Sequence, residues 1–173
     1  MPLPRLLAFV ILGLLAGCAK PPDLPDIVVT AAAKEEFTRF RADLGTRFTP
    51  EQLGDFDTAT QELQLAAMDR NIATAADREA DMRRVANGRT VRAVVLLGWQ
   101  ARQARFRREI AEINRMIDHD EQQAARTAAA GTPESVTRRL GSEKEVLAKL
   151  QHNLAETDSH LAALQESPAK PGR

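Results

Sequence analysis

The chain has 173 residues, the length of a single domain, and its 24 basic and 24 acidic side chains cancel. This balance gives the chain no overall attraction to nucleic acid or to anionic surfaces. Charged residues make up 28% of the chain and hydrophobic residues 43%, proportions typical of globular rather than disordered proteins. Aromatic residues account for only 4%, and the abundance of alanine, leucine, glutamate and arginine favours helices over strands.

The N-terminus has the features of an export signal. Arg5 precedes the apolar stretch Leu6–Leu15, which is too short to cross a hydrocarbon core that needs about 20 residues. The stretch ends in the sequence Leu15-Ala16-Gly17-Cys18, which contains the only cysteine of the chain. With a single cysteine no internal disulfide can form, so the fold must depend on packing.

The residues up to Cys18 resemble the lipobox of bacterial lipoproteins. The resemblance implies that residues 1–17 are a signal peptide cleaved after Gly17, and that the Cys18 sulfur carries a diacylglycerol. A second acylation at the new N-terminus would make the anchor stable. In this family Asp after the cysteine favours the inner membrane, so Ala19 implies the outer membrane, facing the periplasm. The alternative is that Cys18 is a small buried residue beside an ordinary secretory signal.

The chain after the signal divides into three parts by composition. Residues 18–29 contain the lipidated cysteine and a proline-rich tether, predicted to be extended and to hold the domain roughly 30 Å from the lipid. Residues 30–166 are the predicted helical domain. Residues 167–173 are rich in proline and glycine, and we expect them to be disordered.

A short helix at about 31–44 and a long helix at about 50–86 open the predicted domain. In the second, Thr49 and Gln52 form a capping box around a proline, the strongest helix start in the chain. Mostly apolar positions spaced by three and four then continue to the stop signal Asn87-Gly88. A break near residues 69–71 is the alternative to one continuous helix.

Two more long helices complete the prediction, at about 90–129 and 133–165. In the last, seven of the nine positions of a strict 3.5-residue repeat are apolar, which is the coiled-coil period. The turns at 87–89 and 130–132 are short enough to force consecutive helices antiparallel. We therefore predict an all-α fold: an elongated antiparallel bundle of three long helices with coiled-coil-like packing and a short N-terminal helix.

The sequence offers few candidates for catalysis or metal binding. Residues 118–121 are Asp-His-Asp-Glu, but neighbours on a helix point about 100° apart and do not converge on a metal ion. Neither a nucleophile motif nor a glycine-rich phosphate loop is present. Glu79 and Glu143 interrupt apolar repeats, where we expect them to set helix register or lie at a rim. We predict no enzymatic activity, no cofactor and no metal.

A segment without acidic residues carries the main functional hypothesis. Between residues 83 and 108 there are eight arginines and no aspartate or glutamate. The turn at 87–88 should gather four of them as a possible contact for an anionic surface: Arg83, Arg84, Arg89 and Arg92. The alternative is that they are solvated positions, partly neutralised by Asp69, Asp77 and Asp81.

A second resemblance is confined to residues 48–52, whose sequence Phe-Thr-Pro-Glu-Gln is similar to the L-T-x-x-Q motif of Spy-like periplasmic proteins. Those proteins form helical cradles that hold unfolded clients. We expect a non-enzymatic lipoprotein of the cell envelope, anchored through Cys18, that acts as a helical interaction or scaffolding module for a protein or cell-envelope partner. The alternative is a chaperone or stress-sensing protein that binds clients, and an enzyme is the third. No nucleic-acid partner is expected, and the oligomeric state is left open.

Overall fold

The computed structural model describes residues 23–166, which form five α-helices and two short 3-10 turns, at Leu24–Asp26 and Ala128–Ala130. The helices are α1 (Lys34–Arg47), α2 (Pro50–Asp69), α3 (Ala75–Ala86), α4 (Val91–Thr127) and α5 (Glu134–Glu166). Within this range there is no strand beyond one isolated bridge, so the prediction of an all-helical fold is confirmed. The predicted signal peptide, Cys18 and the tail 167–173 lie outside the described residues.

The capping box at the start of α2 is confirmed. The Gln52 amide donates to the Thr49 hydroxyl at 3.4 Å, and the Gln52 side-chain oxygen accepts from the Thr49 amide at 2.9 Å. Thr74 and Thr90 cap α3 and α4 in the same way, through the amides three residues later. Three of the five helices thus begin at a threonine that occupies backbone donors left free at a helix start.

The region predicted as one helix over 50–86 is two helices that run in opposite directions, so the alternative of a break near residues 69–71 is confirmed and the prediction of one continuous long helix is wrong. Residues 70–74 reverse the chain, and Asn71 adopts a left-handed conformation with φ 62°. Asparagine tolerates this region better than most residues because its side chain can bond locally. The apolar spacing continues across the turn because α3 folds back on α2 and buries Met82 and Ala86 in the same core.

The segment predicted as an extended tether is packed on the helices from Asp23 onward. Val29 is buried, its amide donates to the Arg89 carbonyl at 2.8 Å, and its carbonyl accepts from the Gly88 amide at 2.9 Å. The Val91 amide donates to the Ile27 carbonyl at 2.8 Å. The prediction of a spacer through residue 29 is therefore wrong for residues 23–29, because Leu24, Ile27 and Val29 pack against the core.

Helices α2 and α4 run parallel and cross in close contact. Ala59 of α2 is fully buried against Gly98 of α4, and a Cβ added at Gly98 would lie 2.3 Å from the Ala59 Cα. Only glycine permits this approach. Phe56 of α2 and Val94 of α4 lie in the core about one helical turn before the crossing.

Helices α4 and α5 form a long antiparallel hairpin that extends past the end of α2. The last residue of α2, Asp69, pairs with Arg108 of α4, whereas α4 continues to Thr127. We call residues 109–150 the distal hairpin. Its inward positions repeat by three and four, as in a two-stranded coiled coil, and include the buried Ile117 and Val136.

Candidate functional site

The four arginines of the predicted anionic-surface contact lie around the α3–α4 turn, but two of them form hydrogen bonds with backbone carbonyls of other segments. Arg83 is half-buried: one of its nitrogens donates to the Ala32 carbonyl at 3.4 Å, and Nε lies 3.9 Å from Glu79. Arg92 is half-buried and donates to the Leu164 carbonyl of α5 at 2.9 Å. These two guanidinium groups therefore hold segments together rather than face solvent.

The other two arginines are exposed at the turn. Arg84 has a side chain that is 73% exposed, and it pairs with Asp81 one helical turn earlier. Arg89 is exposed and donates to the Val85 carbonyl at 2.7 Å. Because residues 27–29 bond to this turn, Arg84 and Arg89 lie at the end of the bundle where the N-terminal segment enters. We call Arg84 and Arg89 the turn-end arginines.

The remaining arginines of the acid-free segment find acidic partners on other helices. Arg105 donates to both carboxylate oxygens of the buried Glu62, at 3.0 and 2.7 Å, and to Glu109 at 3.0 Å. The Glu62 carboxylate raises the pKa of Arg105 further above its usual range. Arg102 lies 3.8 Å from the same carboxylate and 5.0 Å from the Trp99 ring centre, a cation–π contact.

The sequence suggested three aspartates that would neutralise these arginines, and two of the three pair with an arginine. Asp69 pairs with Arg108, and Asp81 pairs with Arg84 and also with Arg70. Asp77 instead accepts from the hydroxyl of its own helix cap. The hypothesis of partly neutralised, solvated arginines therefore describes much of this segment.

The three histidines do not converge on a common site. His119 lies 3.1 Å from Asp120, His152 lies beside a glutamate on its own helix, and the His160 ring contacts Trp99 in a tilted arrangement with centroids 4.1 Å apart. Among residues 23–166, no group of three or more His, Cys, Asp or Glu side chains is placed to hold a metal ion.

The distal hairpin contains a buried polar cluster, and the sequence did not predict that its members lie together. Two nitrogens of Arg139 donate to the buried Asp120 carboxylate, and one of them also donates to Gln123 at 3.1 Å. The Arg139 hydrogen bonds, with a smaller contribution from His119, hold the pKa of Asp120 below its usual range. Four residues after Arg139, Glu143 is also buried.

A groove of about 590 Å³ opens beside this cluster, and a second of about 570 Å³ lies next to it where α2 ends. The two grooves share Glu112 and Arg115, so they follow one side of α4 past the end of α2. Met68 borders the second groove and Met116 the first, and their exposed fractions are 52% and 44%. Exposed methionines suit adaptable binding surfaces because the side chain is flexible and polarisable.

Sequence reasoning did not single out Glu62, and it did not predict that Asp81 and Asp120 are buried; Glu143 was expected to set helix register or to lie at a rim. A signal was present only for Glu143, which interrupts an apolar heptad position. The others become buried because an arginine on a neighbouring turn or helix reaches them.

Comparison with models of protein families, with curated proteins and with solved structures finds no match to this chain. Among the helices described, none is both long enough and apolar enough to cross a membrane.

Proposed function

We propose that this chain is a non-enzymatic lipoprotein that holds a helical interaction or scaffolding module at the periplasmic face of the outer membrane. The observation that carries the proposal is the packing of residues 23–29 against the α3–α4 turn. Five residue steps separate Cys18 from Asp23, and an extended chain spans at most about 18 Å over that length. A lipid on Cys18 would therefore hold the turn-end arginines close to the lipid headgroups.

The same arrangement would orient the module relative to the membrane. Helix α4 begins at this turn and has 37 residues, a length of about 55 Å. The tip of the distal hairpin would then lie far from the bilayer. In this proposal the turn end faces the membrane and the distal hairpin meets the partner.

The turn-end arginines support a contact with anionic headgroups, because their side chains are exposed where the N-terminal segment enters. We expect the mature chain carrying Cys18→Ser to bind anionic vesicles weakly and to dissociate as salt rises. Reversal of both charges, Arg84→Glu with Arg89→Glu, should abolish this binding. Reversal of two exposed charges on the distal hairpin, Arg126→Glu with Arg138→Glu, is the matched control and should not. If both double variants bound anionic vesicles equally, the turn-end arginines would not be the membrane contact.

Photocrosslinking in cells tests whether the distal hairpin contacts a partner. A photoreactive residue at exposed Gln122, near the distal tip, should give one dominant adduct of constant mass. The same residue at exposed Arg39 of α1 is the control and should give little product. Equal labelling from both positions, or no product from either, would contradict a partner at the distal hairpin.

A client-binding chaperone is the second candidate, and exposed Met68 and Met116 beside the two grooves favour it. A chaperone should suppress aggregation of several unrelated unfolded proteins at stoichiometric amounts, and replacement of both methionines by Gln should weaken that effect. A module with one partner should leave the aggregation unchanged. The crosslinked products should likewise form a ladder of many masses for a chaperone.

A further inference from the structure

Four carboxylates are buried within residues 23–166, and three of them have arginine partners. Glu62 binds Arg105, and Arg102 lies nearby; Asp81 binds two arginines; Asp120 binds Arg139. The fourth is Glu143, which is 6% exposed. Its Oε2 atom is buried and has no hydrogen-bond partner in the described part of the chain.

The guanidinium one turn earlier on the same helix gives its hydrogen bonds to other residues. Arg139 attracts the Glu143 carboxylate, which contributes to its raised pKa, but the hydrogen bonds of its Nε and Nη2 go to Asp120 and Gln123. An ionised carboxylate removed from water without a partner is costly, and buried charges are normally paired. The protein places this acid, whose Oε2 accepts no hydrogen bond, beside an open groove rather than in a sealed core, since Glu143 is one of the residues that line the 590 Å³ groove.

The groove has an excess of negative charge. Three carboxylates line it, those of Glu112, Asp120 and Glu143, against the guanidinium groups of Arg115 and Arg139. Since Nε and Nη2 of Arg139 donate to Asp120, the Glu143 carboxylate retains hydrogen-bond acceptor capacity for a cation that enters the groove. A metal ion is a poor fit because no three ligands converge in the described residues.

We propose that this groove binds a primary ammonium group on an alkyl stem, with the Glu143 carboxylate accepting its hydrogen bonds. An ammonium is a compact charge that can use a single carboxylate oxygen, whereas a guanidinium binds best through two. Met116 lines the same groove and is 44% exposed, so it offers a flexible apolar wall to the stem. The groove volume lies within the range of about 300–1,000 Å³ that is usual for small-ligand sites.

Two sources would present this chemistry, a lysine side chain of a partner protein or a free diamine. The first rests on the proposed function, since it assigns the distal hairpin a recognition element for the partner. The second does not require a partner.

The test is an NMR titration of the mature chain carrying Cys18→Ser, which retains every residue of the helices. The probes are 1,5-diaminopentane, N-acetyl-lysine methylamide and, as the uncharged match, 1,5-pentanediol. We expect saturable shifts of the Met116 methyl and His119 ring resonances with a charged probe and none with the diol. Saturation by the diamine alone identifies a free diamine as the source, and saturation by the lysine compound identifies a lysine side chain.

The variant Glu143→Gln keeps the shape of the side chain and removes its charge. It should weaken binding at least about tenfold, the loss expected for one charge-assisted hydrogen bond. Glu145→Gln removes the same charge from an exposed position of α5 and should change the affinity less than about twofold. If Glu143→Gln alters the fold, Met116→Gln, at an exposed position, should still weaken binding.

The absence of any saturable shift in the unaltered protein would overturn the proposal. Equal binding by Glu143→Gln and Glu145→Gln would overturn it as well. The titration contains neither lipid nor partner, so its failure leaves the tether and the crosslinking test unaffected. Conversely, a failed crosslinking experiment does not bear on diamine binding, which the titration tests independently.

Discussion

The contact between Gly98 and Ala59 predicts a large effect from a small substitution. In Gly98→Ala, the new Cβ would lie 2.3 Å from the Ala59 Cα, 2.4 Å from its Cβ and 2.6 Å from its carbonyl oxygen. Carbon atoms in contact are normally about 3.5–4.0 Å apart, so α2 and α4 would have to separate by more than 1 Å. Backbone atoms cannot be moved away by a change of rotamer, so the core next to the crossing would open.

The expected loss follows from two opposing effects. Overpacking of a core costs about 1–3 kcal/mol, and backbone atoms at this distance place Gly98→Ala at the upper end. Alanine in a helix interior returns about 1 kcal/mol relative to glycine. We therefore expect the free energy of unfolding to fall by about 2 kcal/mol, measured by urea denaturation followed by circular dichroism.

Two controls isolate the contact from helix propensity. Gly141→Ala lies on α5 with nothing within 4 Å of the new Cβ, so it should stabilise the protein by up to about 1 kcal/mol. Adding Ala59→Gly to Gly98→Ala should not restore stability, because the Ala59 Cα and carbonyl oxygen still obstruct the new Cβ. If Gly98→Ala and Gly141→Ala had the same effect, the close crossing of α2 and α4 would be refuted.

Three further predictions concern buried ion pairs and capping. Glu62→Ala leaves Arg105 half-buried with one acidic partner, and should lower the free energy of unfolding by about 3 kcal/mol in the same urea assay; a loss under about 1 kcal/mol would mean that this pair is solvated. Folding lowers the pKa of Asp120 through Arg139, so the stability it adds is present above its ordinary pKa near 3.8 and is lost as pH falls through the lower folded value. The difference in unfolding free energy between the unaltered chain and Asp120→Asn should therefore shrink below about pH 4, and a difference independent of pH between 2 and 6 would contradict the pairing. Thr49→Ala should cost about 1 kcal/mol in thermal or urea unfolding, and no change would mean that the capping bond is not formed in solution.

The sequence was sufficient to predict the helices whose signals are local. Composition favoured helices over strands, the box at Thr49 marked the start of α2 to the residue, and the coiled-coil repeat marked α5. These signals depend on residues three or four apart, which lie on one face of a helix and interact before any tertiary contact forms.

The break between α2 and α3 shows where periodicity fails. An apolar stripe continues through residues 65–86 because α3 packs against the same core as α2, so the spacing does not distinguish one helix from a folded-back pair. A local signal was nevertheless present, since Thr74 and Asp77 have the spacing of a helix start and Asn71 tolerates a left-handed turn. Similarly, the prolines before Asp26 favoured an extended tether, but burial of Val29 beside the α3–α4 turn outweighed that local preference.

The candidate sites depended on contacts that no local pattern contains. Glu62 meets Arg105 across 43 positions of the chain, and Asp120 meets Arg139 across a hairpin turn. The sequence could suggest Asp69 and Asp81 as neutralising acids for the acid-free arginine segment, but not Glu62 or Asp158, because these lie on other helices and far apart in the chain. Among the four buried acids, only Glu143 carried a local sign of burial, as a charge at an apolar heptad position.

Mass spectrometry of the N-terminal peptide, combined with membrane fractionation, tests the central proposal of a lipid-tethered module most directly. The mature chain should begin at Cys18, carry the mass of a diacylglycerol and an acyl chain, and remain with membranes after a high-salt wash. Cys18→Ser should release a folded chain, with an unchanged helical circular dichroism spectrum, into the soluble fraction. An unmodified Cys18, or a Cys18→Ser chain that stays on membranes after the same wash, would contradict the account.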